Sequence, residues 1–277
     1  MTTPVNESTS ETCSFDNNTS IGLTPEEEKQ LQEDTQGILD AETIQDPEKQ
    51  EVAMTVANMK YWMDYTIFTT SPPLSPAQVA VLKDDYNKTI QDSHITGSNI
   101  YLTMQLDSTK FGMDLFVFTH TLSQTQIDTL AKDYAQLESD YQITDKDEKL
   151  IRMLIGFARY NLDITLFTYP QLSSWEITQL ETAFSQLSND RYITDHNDKM
   201  AAIIVDTTRL EKDTLTYCYP LTSDELSKLN AIYEKMVKDS KVSDHTMMSR
   251  LQIDQSIFQK LKTTIIQNHA PSTFHIT

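Results

Sequence analysis

Two carboxylate-rich stretches of the chain are alike, and calcium binding is the chemistry that such stretches could support. Asp140–Lys149 reads DYQITDKDEK, and Asp190–Lys199 reads DRYITDHNDK. A calcium loop that opened at Asp145 would need Gly at its sixth position and Glu at its twelfth. Leu150 and Gly156 stand at these positions instead. We therefore predict no metal site here, and we interpret Asp145 as the cap of a helix that begins directly after it.

A second set of charged residues recurs with greater regularity. The segments MDYTIFT, MDLFVFT, LDITLFT and KDTLTYC each carry one aspartate, and these four aspartates lie 49 or 50 residues apart. A basic residue precedes each aspartate by four residues. The four pairs are Lys60 and Asp64, Lys110 and Asp114, Arg159 and Asp163, and Arg209 and Asp213.

Two interpretations of these eight residues are open. On a helix, side chains four residues apart are neighbours, so each pair would form an ion pair worth about 0.2 to 0.5 kcal/mol. Alternatively, stacking of repeats would align the aspartates on one face as a charged ladder that binds a basic protein partner. We favour the ion pairs and retain the eight residues as a candidate partner-binding site. The last copy has Lys262 in place of the aspartate, as is typical of a terminal repeat.

The sequence lacks the patterns that would indicate an enzyme. The six histidines form no H-x-x-x-H pair, and Cys13 and Cys218 lie in unrelated contexts. The sequence also has no Gly-rich phosphate loop and no G-x-S-x-G motif. We therefore predict a protein that is not an enzyme and that uses no cofactor. The alternative is an enzyme whose site is assembled across repeats without a recognisable motif.

The charged residues must be positioned by a repeated element, and five leucines mark its period. They recur at intervals of 48 to 51 residues, and each is followed by Ser or Thr. The hydroxyl group can accept a hydrogen bond from the first free N–H groups of a helix, so every unit is predicted to open with a helix. The five leucines are Leu23, Leu74, Leu122, Leu172 and Leu221.

The second half of each unit admits two structures. The spacing of apolar residues such as Val52, Val56 and Met59 favours a second helix. In contrast, Ile100–Leu106 alternates and Asp114–Thr119 is rich in aromatic and β-branched residues, which is typical of a β-hairpin. We predict the helix, because the caps are helical and one repeat should keep one structure in all its copies. An α+β fold of helix and β-hairpin repeats is the alternative.

The period of the repeat sets the segment boundaries. We predict five helix-hairpin repeats stacked as a short all-α solenoid or helical array, at 22–70, 71–120, 121–170, 171–219 and 220–268. Residues 1–21 are rich in Ser, Thr and Asn and are predicted to be a disordered tail, and residues 269–277 form a C-terminal tail. Neither the period nor the text of the units fits tetratricopeptide, ankyrin or HEAT repeats.

Charge and cysteine content limit the partner and the location. The net charge is −19, so we expect the surface to repel nucleic acid and anionic membranes. No apolar run of about 18 residues could span a membrane, and we expect no Sec-type signal because the first residues have no basic and no apolar region. Two cysteines fit a reducing compartment. We predict a cytoplasmic protein, with export without a Sec-type signal as the alternative.

These observations favour binding over catalysis. Stacked repeats expose an extended surface that usually binds protein. We predict a scaffold or adaptor for protein–protein interactions, and a secreted effector is a variant of this hypothesis that rests on the composition of the N-terminal tail alone. A concave face with clustered aromatic side chains would support the scaffold, whereas a pocket with convergent, perturbed titratable groups would support the enzyme.

Overall fold

The structure is a computed structural model that describes residues 22–97, 99–242 and 246–269. These residues form ten α-helices and no strand. The prediction of an all-α fold is therefore confirmed, and the alternative with β-hairpins is wrong. The predicted tail at 1–21 lies outside the described residues, as does the predicted C-terminal tail apart from His269. The helices are α1 (Pro25–Glu42), α2 (Pro47–Thr69), α3 (Pro76–Asp92), α4 (Ile100–Thr119), α5 (Gln124–Tyr141), α6 (Lys146–Thr168), α7 (Ser174–Asp190), α8 (His196–Cys218), α9 (Ser223–Asp239) and α10 (Met247–His269).

The helices pack in adjacent pairs within two compact units, which divide after Ser93. In the first unit, α2 packs against both α1 and α3. In the second unit, α5 packs against α6, α7 against α8, and α9 against α10. The helices α6, α8 and α10 also contact one another in sequence, so neighbouring hairpins are joined through their second helices. The division falls within the predicted second repeat, 71–120, and places α3 in the first unit and α4 in the second.

The first helix of every repeat begins with a capping box. The hydroxyl oxygen of each cap residue accepts a hydrogen bond from the backbone N–H three residues later, and the Glu or Gln at that position accepts one from the backbone N–H of the cap. The hydroxyl caps predicted from the sequence are therefore present, and a Glu or Gln side chain completes each of them, as in Thr24 with Glu27 and Ser75 with Gln78. Local sequence therefore determines where these helices begin.

Aspartates cap the second helix in three of the repeats. The Asp145 carboxylate accepts a hydrogen bond from the Glu148 N–H at 2.8 Å, and Asp195 accepts one from the Asp198 N–H at 2.9 Å. Asp46 caps α2 in the same way. The interpretation of Asp145 as a helix cap is confirmed. The corresponding residue of the fifth repeat, Asp244, lies outside the described residues.

The helix α4 begins differently, because Gly97 stands at the position that the capping aspartates Asp46, Asp145 and Asp195 hold in three other repeats. Glycine has no side chain that could cap, and its φ of 111° lies in the left-handed region that only glycine adopts readily. The chain therefore continues past this point, and the helix begins at Ile100 after Asn99, whose side chain makes no capping bond.

The hydrophobic core passes from one hairpin to the next. The first helix of four of the repeats has a fully buried leucine at the same position. These residues are Leu82, Leu130, Leu180 and Leu229. In the second unit, Leu162 of α6, Leu187 of α7 and Ile203 of α8 belong to a single cluster. A hairpin therefore completes its core with side chains of its neighbour, as expected for stacked repeats. None of the helices in the described part of the chain is long and apolar enough to cross a membrane.

The capping aspartates lead to the first testable prediction. Replacing Asp145 or Asp195 by Ala should lower the free energy of unfolding by about 1 kcal/mol, because the first free N–H groups of the helix lose their acceptor. Chemical denaturation measures this loss, and added calcium should leave it unchanged. A melting temperature that rises strongly with calcium in the wild type but not in Asp145→Ala would show that the stretch binds the ion.

Two helical glycines lead to the second prediction. A Cβ atom at Gly156 would lie 2.7 Å from Leu137 Cδ2, which is fully buried where α5 and α6 pack together, whereas a Cβ atom at Gly112 would meet no atom within 4 Å. Ala improves helix propensity by about 1 kcal/mol at either site. Gly112→Ala should therefore raise the melting temperature, and Gly156→Ala should lower it because overpacking outweighs that gain. Thermal unfolding of both variants decides this, and stabilisation by Gly156→Ala would contradict the close approach of the two helices.

Candidate functional site

The eight residues predicted as base and acid pairs do contact each other in the structure. Lys60 contacts Asp64 and Lys110 contacts Asp114, each one helical turn away. The Arg159 Nε donates to Asp163 Oδ2 at 2.8 Å, and the Arg209 Nε lies 3.8 Å from Asp213 Oδ2.

Three of the four carboxylates in these pairs are buried, and that of Asp213 is half-buried. Asp64, Asp114 and Asp163 are 7%, 9% and 2% exposed. The basic side chains beside them are about one-third exposed, with 30% for Lys60 and 31% for Arg159. A partner that approaches this surface therefore meets the bases before it could meet the acids. The burial also makes each ion pair a structural contact of the hairpin, and not the weak surface pair that spacing alone suggests.

The ion pairs extend to neighbouring helices. The Lys60 Nζ lies 3.6 Å from Asp34 Oδ1 of α1, and the Arg159 Nη1 donates to Glu181 Oε2 of α7 at 2.9 Å. Burial alone would lower the pKa of Lys60, but Asp64 and Asp34 raise it. Lys60 thus connects α2 to the first helix of its own hairpin, and Arg159 connects α6 to the next hairpin.

A groove of about 660 Å³ lies elsewhere in the second unit, across the second helices α4, α6, α8 and α10. Apolar side chains such as Phe157 and Leu210 form its floor, and Tyr101 lines its rim at 43% exposure. The rings of Tyr169 and Tyr219, which end α6 and α8, lie 6.2 Å apart. The groove therefore has the concave form and clustered aromatic side chains that are typical of a binding surface.

The charged groups of the groove compensate each other. The Lys262 Nζ lies 3.1 Å from Glu211 Oε1, and the Gln259 Nε2 donates to Glu211 Oε2 at 2.8 Å. Burial raises the pKa of Tyr169, and the nearby Tyr219 hydroxyl raises it further. The groove is thus neutral in a strongly acidic protein, and it holds no acid and base placed to transfer a proton to a ligand.

Two further reactive side chains, those of Cys218 and His269, lie in surroundings that the structure describes. Burial, with a smaller effect of Glu176, raises the pKa of the Cys218 thiol to about 11, so the thiol stays protonated at neutral pH. His269 Nε2 lies 3.1 Å from Glu225 Oε2, a carboxylate engaged in the capping box of α9. Among the residues that the structure describes, no group of three or more His, Cys, Asp and Glu side chains could hold a metal ion.

The sequence interpretation missed the acidic residues of the first helices. Asp34 and Asp133 lie on α1 and α5 and approach Asp64 and Asp163, respectively. A signal was present, because Asp34, Asp85 and Asp133 follow the aligned residues Leu31, Leu82 and Leu130 by three positions each. The groove residues carry no such signal, because their common feature is the face of the helix on which they lie.

Comparison of the chain with models of protein families, with curated proteins and with solved structures gave no match in any of the three. The function must therefore be inferred from the fold and from the geometry of these sites.

The buried ion pairs lead to the third prediction. Asp163→Asn should lower the free energy of unfolding by about 1.5 to 3 kcal/mol, because it removes a buried, charged acceptor from Arg159. The exposed Asp84 of α3 is a matched control, and Asp84→Asn should change stability by less than about 0.5 kcal/mol. Chemical denaturation compares the two variants, and equal small effects would mean that the carboxylate of Asp163 is solvated.

Proposed function

We propose that the protein is a non-enzymatic scaffold or adaptor for protein–protein interactions, and that its protein partner docks in the groove formed by α4, α6, α8 and α10. The observation that carries this proposal is the composition of the groove. Its floor is apolar, its aromatic side chains are grouped, and its single acid and base neutralise each other. Burial of apolar surface is the main driving force of such association.

The location of the carboxyl groups with perturbed pKa values supports binding rather than catalysis. The carboxyl groups with strongly perturbed pKa values, Asp133 and Asp190, lie outside the groove. An enzyme site would bring such groups together in the pocket that holds the substrate. The alternative of an enzyme with a site assembled across repeats therefore gains no support from this groove.

The eight residues of the base and acid pairs have a secondary place in this proposal. The exposed parts of Lys60, Lys110, Arg159 and Arg209 could contact a partner, whereas Asp64, Asp114 and Asp163 are too buried to do so and Asp213 is only slightly more exposed. The acidic surface of the chain argues against nucleic acid as the partner.

For the location we propose the cytoplasm, because the chain has only two cysteines. Export without a Sec-type signal, as a secreted effector, is the alternative. It rests only on the composition of residues 1–21.

A blocked groove tests the proposal and gives the fourth prediction. Thr214 lines the groove on α8, and Thr178 lies exposed on α7 of the same unit and outside the groove. Thr214→Arg should weaken partner binding at least about tenfold, since a long charged side chain would occupy the apolar site. Thr178→Arg should bind like the wild type.

Affinity capture with the wild-type chain identifies the partner, and titration calorimetry with that partner compares the three proteins. Circular dichroism confirms that both variants fold. Equal affinities for all three proteins would place the partner on a different surface and contradict the proposal.

A further inference from the structure

Aspartate carboxyl groups meet in pairs within three hairpins; Asp34, Asp64, Asp163 and Asp206 are buried, and Asp133 and Asp190 are half-buried. In each pair one aspartate lies on the first helix and the other on the second, and their carboxyl groups are within hydrogen-bonding distance. The pairs are Asp34 with Asp64 between α1 and α2, Asp133 with Asp163 between α5 and α6, and Asp190 with Asp206 between α7 and α8.

One oxygen atom in each pair is enclosed without a hydrogen-bond donor. These atoms are Asp34 Oδ2, Asp133 Oδ2 and Asp190 Oδ2, all on the first helix of their hairpin. Two ionised carboxylates at this distance would repel each other and leave the enclosed oxygen unsatisfied. A single proton removes both penalties, because the protonated carboxyl group donates its O–H to the carboxylate beside it.

We propose that each of these three hairpins holds one proton between its two paired carboxyl groups, and that loss of this proton as the pH rises loosens the hairpin. The three pairs thereby form a pH-sensitive device that is built into the repeat. The device is independent of the groove and of its partner.

The electrostatic surroundings agree with this geometry. Burial, then the hydrogen bond to Asp163 and the charge of Asp163, raise the pKa of Asp133 to about 7. Burial and the neighbouring Asp206 raise the pKa of Asp190 to about 7 as well. In the first unit, burial raises the pKa of Asp34, although Gln30 and Lys60 oppose the shift.

The groups that face the pair of Asp133 and Asp163 come from every helix around it. They are Lys132 on α5, Arg159 and Tyr160 on α6, Glu181 on α7 through Arg159, and Asp114 with Lys110 on α4 through Tyr160 and Tyr134. No histidine is among them. Lysine, arginine and tyrosine side chains ordinarily titrate well above neutral pH, so the proton of the carboxyl pair is the one that leaves near pH 7.

The other two pairs have similar surroundings. Gln30, Lys60, Tyr61 and Tyr86 face the pair of Asp34 and Asp64. Arg209 and Tyr233 face the pair of Asp190 and Asp206, and Arg209 lowers the pKa of Asp206 against the larger effect of burial.

The sign of the pH effect follows from these directions. A carboxyl group with a raised pKa in the folded state stays protonated there, whereas the unfolded chain releases the proton above about pH 4. The stabilising contribution of the pairs that contain Asp133 and Asp190 is therefore fully present below about pH 4 and is lost as the pH rises through about 7. The fold should be more stable in mild acid than in mild alkali.

Melting temperatures of the full chain at about pH 5.5 and about pH 8 test this proposal. The wild type should melt several degrees lower at the higher pH. Asp133→Asn should melt with a clearly smaller difference, because an amide N–H donates to Asp163 at every pH. Asp84→Asn removes one exposed carboxylate and should keep the full difference of the wild type, which controls for the change in net charge.

A second variant, Asp190→Asn, tests the hairpin of α7 and α8 independently and keeps the test valid if Asp133→Asn does not fold. A reduced pH difference in either paired variant, but not in Asp84→Asn, supports the shared proton. A wild type that is equally stable at both pH values, or paired variants with the same pH difference as the wild type, would overturn it.

Discussion

Much of the structure depends on one interaction, which recurs along the chain. It is the ion pair between an aspartate on the second helix of a hairpin and the basic residue one turn earlier on the same helix. A charge cannot be placed in a hairpin interior without a partner, because the cost of desolvation is several kcal/mol. The base supplies this partner from the same helix, so the pair of Arg159 and Asp163 lies entirely within α6. The base then reaches Glu181 of the next hairpin, and a local contact becomes a contact between repeats.

This arrangement separates the charges of the second unit from its groove. The helix α6 carries Asp163 toward α5 and presents Phe157 to the groove, so two different faces of one helix hold the charge and line the groove. The charges of the groove are limited to Glu211 and Lys262, which are paired with each other. The groove is thus a neutral, partly apolar surface on a chain with a net charge of −19, and the proposed protein partner would be recognised there by shape and apolar contact.

The sequence allowed prediction of those features that local interactions determine. Helix starts are set by side chains within four residues of one another, so Ser123 and Asp145 were interpreted correctly. The β-hairpin alternative for Ile100–Thr119 failed because tertiary packing overrides the strand propensity of short aromatic and β-branched runs. The late start of α4 follows from Gly97, which lacks a capping side chain.

The carboxyl pairs and the groove could not be predicted in the same way. Asp133 and Asp163 are 30 residues apart in the sequence, and their contact depends on the register in which α5 packs against α6. The burial of the aspartates likewise depends on neighbouring hairpins, which spacing within one helix does not reveal. The groove is formed by one face of each of four helices, so its lining is set by stacking and not by any motif.

The most direct test of this account is a titration of the aspartate carboxyl carbons by NMR in the folded protein. If a buried pair shares a proton, a carboxyl signal should titrate near pH 7 and should be absent in Asp133→Asn, since burial raises the pKa of Asp133 to about 7. Ordinary aspartates should titrate near pH 4. If every aspartate signal of the wild type titrated below about pH 5, the buried carboxyl groups would be ionised independently and the account would be contradicted.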